Sequence, residues 1–221
     1  TSNDTRTAEN YPIGGYWEIP LLGWDDKNKD GILTYSKNPA LNEVFFDGDT
    51  SKYMGVSIPP QQITFAPGIE VLRHKLRFQT LFDYRGGNHA INITDIVMCN
   101  VVFNCIGRND PHASLFEQAR ALEYTDPSPI AAGGDTGPGH FIKWRELSAT
   151  LTLPDRWAKF ASAQGATIAF SARNIQTWTK YPGVDPESST NTTGGSGDSH
   201  LFDQVTVGPP TYYIVRLNLR F

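Results

Sequence analysis

The last ten residues, YYIVRLNLRF, alternate strictly. A strand has a side-chain period of two, so Tyr213, Val215, Leu217, Leu219 and Phe221 fall on one side. Tyr212, Ile214, Arg216, Asn218 and Arg220 fall on the other. At ~3.3 Å per residue, such a segment tilted by ~45° rises roughly 23 Å, close to the ~25 Å apolar band of an outer-membrane barrel. An arginine facing lipid at mid-depth would cost about 2 to 4 kcal/mol, so a split between lipid and lumen requires both arginines on one face. The edge strand of a soluble sandwich shares this alternation; the closing aromatic favours the membrane strand.

Hydropathy does not oppose that assignment. Mean hydropathy is −0.37, and no apolar run reaches the ~18 residues of a transmembrane helix, whereas barrel strands are only half apolar. The net charge of −4 and scattered basic residues leave no footprint for nucleic acid. The opening TSNDTRTAEN is polar, without a charged n-region or an apolar h-region, so any export signal is expected upstream or already removed.

Four more strands precede the last. Gln61 to Val71 keeps Ile63, Phe65, Ile69 and Val71 in one parity, with Pro67 and Gly68 predicting a bulge or kink. Lys75 to Arg85 sets Leu76, Phe78, Thr80, Phe82 and Tyr84 against Lys75, Arg77, Gln79, Asp83 and Arg85. Trp144 to Leu153 sets Leu147, Ala149, Leu151 and Leu153 against Glu146, Ser148, Thr150 and Thr152, and Pro154 ends it. Thr167 to Thr177 sets Ile168, Phe170 and Ala172 against Thr167, Ser171 and Arg173. Tight turns are expected around Leu72 to His74 and from Asp155 to Gly165, and long loops from Gly86 to Phe141 and from Lys180 to Thr211. In outer-membrane barrels the short turns are periplasmic and the long loops extracellular, which puts the last strand's end in the periplasm. By parity the first ~60 residues form another outer loop.

Several segments together carry a family resemblance: YPIGGYWEIPLLGWDDKNKDGILTY, FQTLFDYRGGNHAIN, HFIKWRELSATLTLP, FSARNIQTWTKYPGVDPE and the terminal YYIVRLNLRF. The chain resembles the C-terminal portion of a SusC/RagA-type TonB-dependent outer-membrane transporter. The resemblance implies an all-β fold, an antiparallel transmembrane β-barrel segment comprising about the last five strands of a large, 22-stranded barrel. Long extracellular loops and one short loop helix accompany it. Residues 1–60 are then an extracellular loop region and 61–221 the C-terminal barrel strands and loops. The implied partners are the rest of the barrel and its plug, a SusD-like surface lipoprotein, the TonB complex reached through an N-terminal part outside this chain, and outer-membrane lipid. Tyr213, Val215, Leu217, Leu219 and Phe221 resemble the apolar positions of a barrel-assembly signal. Five strands ~4.8 Å apart would close on a diameter near ~11 Å, too narrow for side chains, so the segment is expected to need more strands or other chains at its edges.

Arg77, Arg85, Glu146, Arg173, Arg216 and Arg220 are the expected lumen-facing polar residues. Tyr84, Trp144, Trp178 and Tyr181 are expected in the interfacial girdle. Asp26, Asn28, Asp30 and Gly31, with the Ile32 carbonyl, open like a calcium loop, but Lys37 stands where an EF-hand places its bidentate Glu. A solvated Asx turn is the competing reading. Cys99 and Cys105 lie in one outer loop of an exported chain, where a disulfide is expected to contribute on the order of 2 to 3 kcal/mol. A two-cysteine metal site lacks partners of suitable spacing in His89 and His112. Residues Ala113 to Tyr124 read as a short helix beginning at Asp110 and Pro111, with Leu115, Phe116, Ala119 and Leu122 on one side. Asn92 and Asn191 open N-x-T triplets that carry little weight.

No catalytic set is visible: the histidines are scattered and no serine sits in a nucleophile elbow, so an enzyme is not expected. Two functions follow. The first is energy-coupled import of glycans, peptides or similar ligands; the second is a secreted, non-transport β-protein that assembles through open strand edges or binds glycans through loop aromatics such as Trp17, Trp24 and Tyr53.

Overall fold

Period-two alternation in the sequence becomes one long antiparallel sheet. The structure is a computed structural model that describes residues 4–6, 8–47, 51–124, 136–187, 202–203 and 207–221. Short strands come first: β1 (Asp4–Arg6), β2 (Gly15–Glu18), β3 (Leu21–Trp24), β4 (Val44–Phe46) and β5 (Lys52–Val56). Then follow β6 (Gln61–Phe65), β7 (Gly68–Val71), β8 (Leu76–Gly86) and β9 (His89–Asn92). Helices α1 (Ile93–Asn100), α2 (Ile106–Asn109) and α3 (Leu115–Tyr124) lead to β10 (Thr136–Pro138). The rest is β11 (Phe141–Thr152), α4 (Asp155–Phe160), β12 (Gly165–Thr179), β13 (Phe202–Asp203) and β14 (Tyr212–Arg220).

The chain divides into two compact units. The sheet unit is Pro60–Gly86, Phe141–Thr179 and Pro209–Phe221. Its strands run in the order β14-β12-β11-β8-β6, with β7 also on β8. β6 and β7 share one position in the sheet. The expected bulge at Pro67 is absent, because Phe65 pairs with Phe82 and Gly68 with Gln79 in unbroken register. Pro67 cannot donate to the ladder, but its carbonyl accepts from the Thr80 N–H at 3.1 Å, so pairing lapses without a slip. Leu72, Arg73 and His74 take positive φ values of 53°, 54° and 65°, and this left-handed turn closes the β7–β8 hairpin. The turn expected from Asp155 to Gly165 contains a helix, α4, whose Trp157 and Phe160 are exposed.

All five points where the chain passes between the units, after residues 59, 86, 140, 179 and 208, lie at the same end of the sheet. There Gln61 pairs with Gly86, and Phe141 pairs with Arg85 and Thr179. The left-handed turn, α4 and the end of β14 lie at the other end. This arrangement is the short-turn, long-loop alternation read from the sequence.

The loop unit gathers Thr1–Pro59, Gly87–His140 and Lys180–Gly208, so its first boundary falls between residues 59 and 60 and two later connections join it. The long connections form a core of their own, which is why they join the first segment. Its sheets are β1-β2-β5, β10-β9-β13 and β3-β4. One buried cluster holds Tyr16, Ile91, Ile96, Cys99 and Ala121; another holds Leu33, Val44 and Ala119. Helix α3 contributes to both, and it starts at Leu115 rather than Ala113 because Ser114 and Glu117 form a capping box: the Glu117 N–H donates to Ser114 Oγ and the Ser114 N–H to Glu117 Oε2. Phe116, expected on the packed side, is half exposed and meets the Trp24 ring.

Candidate functional site: a sheet with an apolar and a polar face

Register assembles the apolar residues of successive strands into rows. Leu217 faces Ile168, Ile168 faces Leu151, Leu151 faces Leu76, and Leu76 faces Val71. The next row joins Val215, Phe170, Ala149, Phe78 and Ile69. These rows lie open: Val215 is 69% exposed, Leu217 59% and Ile69 60%. A contiguous apolar face of this extent marks a contact with membrane or protein.

A bulge at Arg145 changes the parity of β11 beyond the residues read as alternating. Glu146 pairs with Leu81 and Trp144 with Phe82, so Arg145 has no opposite residue on β8. On β12, Asn174 and Ile175 stand between the paired Arg173 and Gln176, and Asn174 has a left-handed φ of 52°. The extra residue moves Trp144 and Ile142 onto the apolar face beside Leu147. Trp144 stacks on Phe82 at 5.6 Å between centroids. Its indole N–H donates to Thr80 Oγ1 at 2.7 Å, and the Thr80 hydroxyl donates to the Glu146 carbonyl at 3.0 Å. The carbonyl beside the bulge and the indole nitrogen are thus satisfied without water, as an apolar medium requires.

The opposite face is polar, and register puts Arg77, Arg85, Glu146, Arg173, Arg216 and Arg220 together on it. Arg173 Nε donates to Glu146 Oε2 at 3.0 Å. Arg145, displaced by the bulge, brings its guanidinium to Asp83 at 2.5 Å, and Thr64 Oγ1 donates to the same carboxylate at 3.3 Å. Neither Asp83 nor Arg145 was singled out in the sequence. Their signal was the charge parity of β8 joined to a bulge that alternation cannot show.

In the loop unit, Cys99 at the end of α1 and Cys105 at the start of α2 are joined by a disulfide with a Cα separation of 4.9 Å. Asn92 is not a glycan acceptor in geometry: it is buried and caps α1, its side chain accepting from the Asp95 N–H at 3.2 Å. Asn191 lies outside the described residues. The Asp26–Ile32 loop bonds to itself. Asp26 Oδ2 accepts from the Gly31 N–H, Asn28 Oδ1 from the Asp30 N–H, and Asp30 Oδ1 from the Ile32 N–H. Two residues missed in the sequence brace it. Buried Glu43 accepts from the Lys27 and Thr34 N–H groups at 3.0 and 2.9 Å. Gln118 of α3 accepts from the Leu33 N–H and donates to the Gly31 carbonyl. Among the described residues no three His, Cys, Asp or Glu side chains converge as a metal group.

Of the loop aromatics, Trp17 and Tyr53 pack with Tyr11 in a mutual cluster, with centroids 4.7 to 5.6 Å apart. Tyr181, expected in the girdle, is buried in the loop unit, where its hydroxyl donates to the Ile91 carbonyl at 3.2 Å. Burial pushes the Tyr16 phenol above its ordinary pKa. Burial, and then the neighbouring His140, hold the His89 imidazole below its ordinary value. The His89 ring lies so close to Gly55, whose φ is +145°, that a Cβ there would meet Nδ1 at 2.0 Å.

With this geometry established, comparison with solved structures identifies the fold. The RagAB peptide importer in its "open-open" state matches with a TM-score of 0.59 at 18% identity, over 99% of this chain and 24% of the importer chain. The fold is that of part of the RagAB peptide importer. The RagAB peptide transporter matches at a TM-score of 0.53 and 21% identity, covering 94% of this chain and 22% of that one. The "closed-closed" importer matches at 0.54 and 20%, covering 96% and 24%. The chain therefore spans about a quarter of the length of these RagAB chains, and the SusC/RagA resemblance read from its motifs is matched by its fold. No family model and no curated protein matches the chain. No helix among the described residues is long and apolar enough to cross a membrane.

Proposed function

We propose that the chain is the C-terminal barrel part of a TonB-dependent outer-membrane nutrient importer of the SusC/RagA type. It would take up peptides, glycans or similar ligands together with a SusD-like surface lipoprotein. The observation that carries this reading is the two-faced sheet, with an open apolar face, a polar face, and every crossing to the loop unit at one end. In this reading the apolar face meets lipid and the polar face lines the lumen. The loop unit is extracellular, and the left-handed turn, α4 and the C-terminus are periplasmic. Tyr84 and Trp178 then belong to the outer aromatic girdle, and Trp157 and Phe160 to the inner one.

The test is fractionation and uptake with the full-length gene product. Detergent should be required for extraction, folded protein should migrate faster than boiled protein, and uptake should stop when the proton gradient is dissipated. Release by a salt or carbonate wash would overturn the reading and favour the secreted, edge-assembling alternative. Calcium held by Asp26, Asn28, Asp30 and the Ile32 carbonyl is a separate proposal, since it would compete with the bonds that close this loop. A calcium-dependent rise in Tm that Asp26→Ala abolishes would support it, and no rise at millimolar calcium would remove it.

A further inference from the structure

The turn between β11 and β12 is longer than a hairpin needs and holds helix α4. Leu153 and Ala166 are joined by a backbone hydrogen bond of 2.9 Å and keep the parity of the paired Leu151 and Ile168, so they end the apolar face. Helix α4 seats its buried Ala158 on them, together with Ala163. The helix therefore lies on the apolar side of the sheet, at the end away from the crossings to the loop unit. With 3.6 residues per turn, Arg156 and Phe160 fall on the side opposite Ala158, and Trp157 and Lys159 on its two flanks. All four are exposed, Phe160 at 96% and Trp157 at 59%.

Charge gathers at the same place. Among the described residues neither Arg156 nor Lys159 has an ion pair. The β7–β8 turn adjoins the helix, because the Thr152 N–H donates to the Lys75 carbonyl at 2.7 Å, and it adds exposed Leu72, Arg73 and Lys75. Glu70, just before that turn, is engaged by His74 at 2.7 Å and Arg77 at 3.7 Å. Across the two turns, residues 72–75 and 153–164, four lysines and arginines stand against a single carboxylate, Asp155, in a chain whose net charge is −4. Exposed aromatics beside cations, at the margin of an apolar face, are the composition of a helix lying in a membrane interface.

We propose that α4 is a binding site for anionic phospholipid, with Trp157 and Phe160 among the acyl chains just below the headgroups and Arg156 and Lys159 on the headgroup phosphates. The inference rests on the reading of the apolar face as lipid-facing, and it adds a lipid preference to that reading. Cations on long apolar stems reach from the boundary of the hydrocarbon to phosphate, and a leaflet of net negative charge holds them more strongly than a neutral one. An acidic polypeptide is disfavoured because α4 sits on the margin of the apolar face itself, so the medium that covers that face also covers the helix.

The test uses the full-length protein in phosphatidylcholine vesicles that contain a minor share of either phosphatidylcholine or phosphatidylglycerol with a nitroxide on its acyl chain. A fluorophore on Ala161→Cys, exposed at the end of α4, reads the lipids beside the helix, and one on Leu217→Cys reads the apolar face away from it. At position 161 phosphatidylglycerol should quench with a roughly tenfold higher relative affinity at low ionic strength, while the two lipids act equally at 217. Arg156→Gln with Lys159→Gln should bring position 161 to parity, Arg156→Lys with Lys159→Arg should keep the preference, and added salt should lower it. Equal quenching by the two lipids at 161 with Arg156 and Lys159 in place would overturn the inference, as would a preference that survives their replacement by Gln. The vesicles hold no other protein, so a helix built for a polypeptide partner would show no lipid preference. Quenching at 217 without quenching at 161 would also overturn the inference, placing α4 in water, and would leave the barrel reading intact. Quenching at neither position would sink the barrel reading itself.

Discussion

Tyr16 on β2 of the loop unit is 1% exposed and Val215 on β14 of the sheet is 69% exposed, although both are large apolar side chains on strands. The loop unit covers its apolar residues with its own short strands and with α1 and α3, as a soluble domain does. The sheet turns comparable residues outward in continuous rows and keeps its charges on the other face. The same residue types are therefore buried in one unit and exposed in the other, and the cover for the sheet is not found within the sheet unit itself. In the proposed reading a membrane supplies that cover.

Substitutions in the full-length protein can break this contrast. The largest effect is expected from Tyr16→Ala, which removes a fully buried aromatic and should cost the loop unit about 3 to 5 kcal/mol. Val215→Ala should cost far less, and limited proteolysis should show the Tyr16 variant cut in the loop unit with the sheet intact. Equal damage from both would erase the distinction. Leu217→Arg should follow, destabilising the folded barrel by about 2 to 4 kcal/mol in refolding titrations, while Asn218→Arg on the other face stays within about 0.5 kcal/mol. Thr80→Val should cost about 1 to 3 kcal/mol, since it strands the Trp144 N–H and the Glu146 carbonyl in an apolar medium. A neutral result would mean that water reaches that face.

The smallest effect concerns the loop unit alone. His89 is held below its ordinary pKa of 6.5, first by burial and then by His140. The unfolded chain therefore binds the proton more readily, and stability should rise with pH through this window. The contribution is fully present above about pH 6.5 and declines as the pH falls from there through the lowered folded value. Thermal melts of the loop unit should follow this trend, and His89→Gln should flatten it; an unchanged slope would remove His89 as its source.

The strands were legible because period two survives in a single sequence. The parity of Phe78, Leu151, Ile168 and Leu217 is that of the register. The bulge at Arg145, which changes the parity of β11 before Glu146, was not legible, because nothing in the local alternation announces the inserted residue. The loop unit was largely illegible. Its strands are three to five residues long or shorter, and they pair across distant segments, as β9 does with β13. Helix α1 does carry a readable signal, since Asn92 is an N-cap residue type and its side chain accepts from the Asp95 N–H. That Arg77, Arg85, Glu146, Arg173, Arg216 and Arg220 share one face of the sheet follows from parity, whereas the pairing of Arg145 with Asp83 depends on the bulge. Glu43 and Gln118, which brace the Asp26–Ile32 loop, come from positions that no loop spacing connects.

The central claim, that one face of the sheet meets lipid, is tested most directly by scanning a fluorophore on single cysteines along β14 of the full-length protein in bilayers containing nitroxide-labelled lipid. Quenching should alternate with period two, strong at Tyr213, Val215, Leu217 and Leu219 and weak at Ile214, Arg216, Asn218 and Arg220. Quenching that is uniform along the strand, or absent from it, would contradict the account.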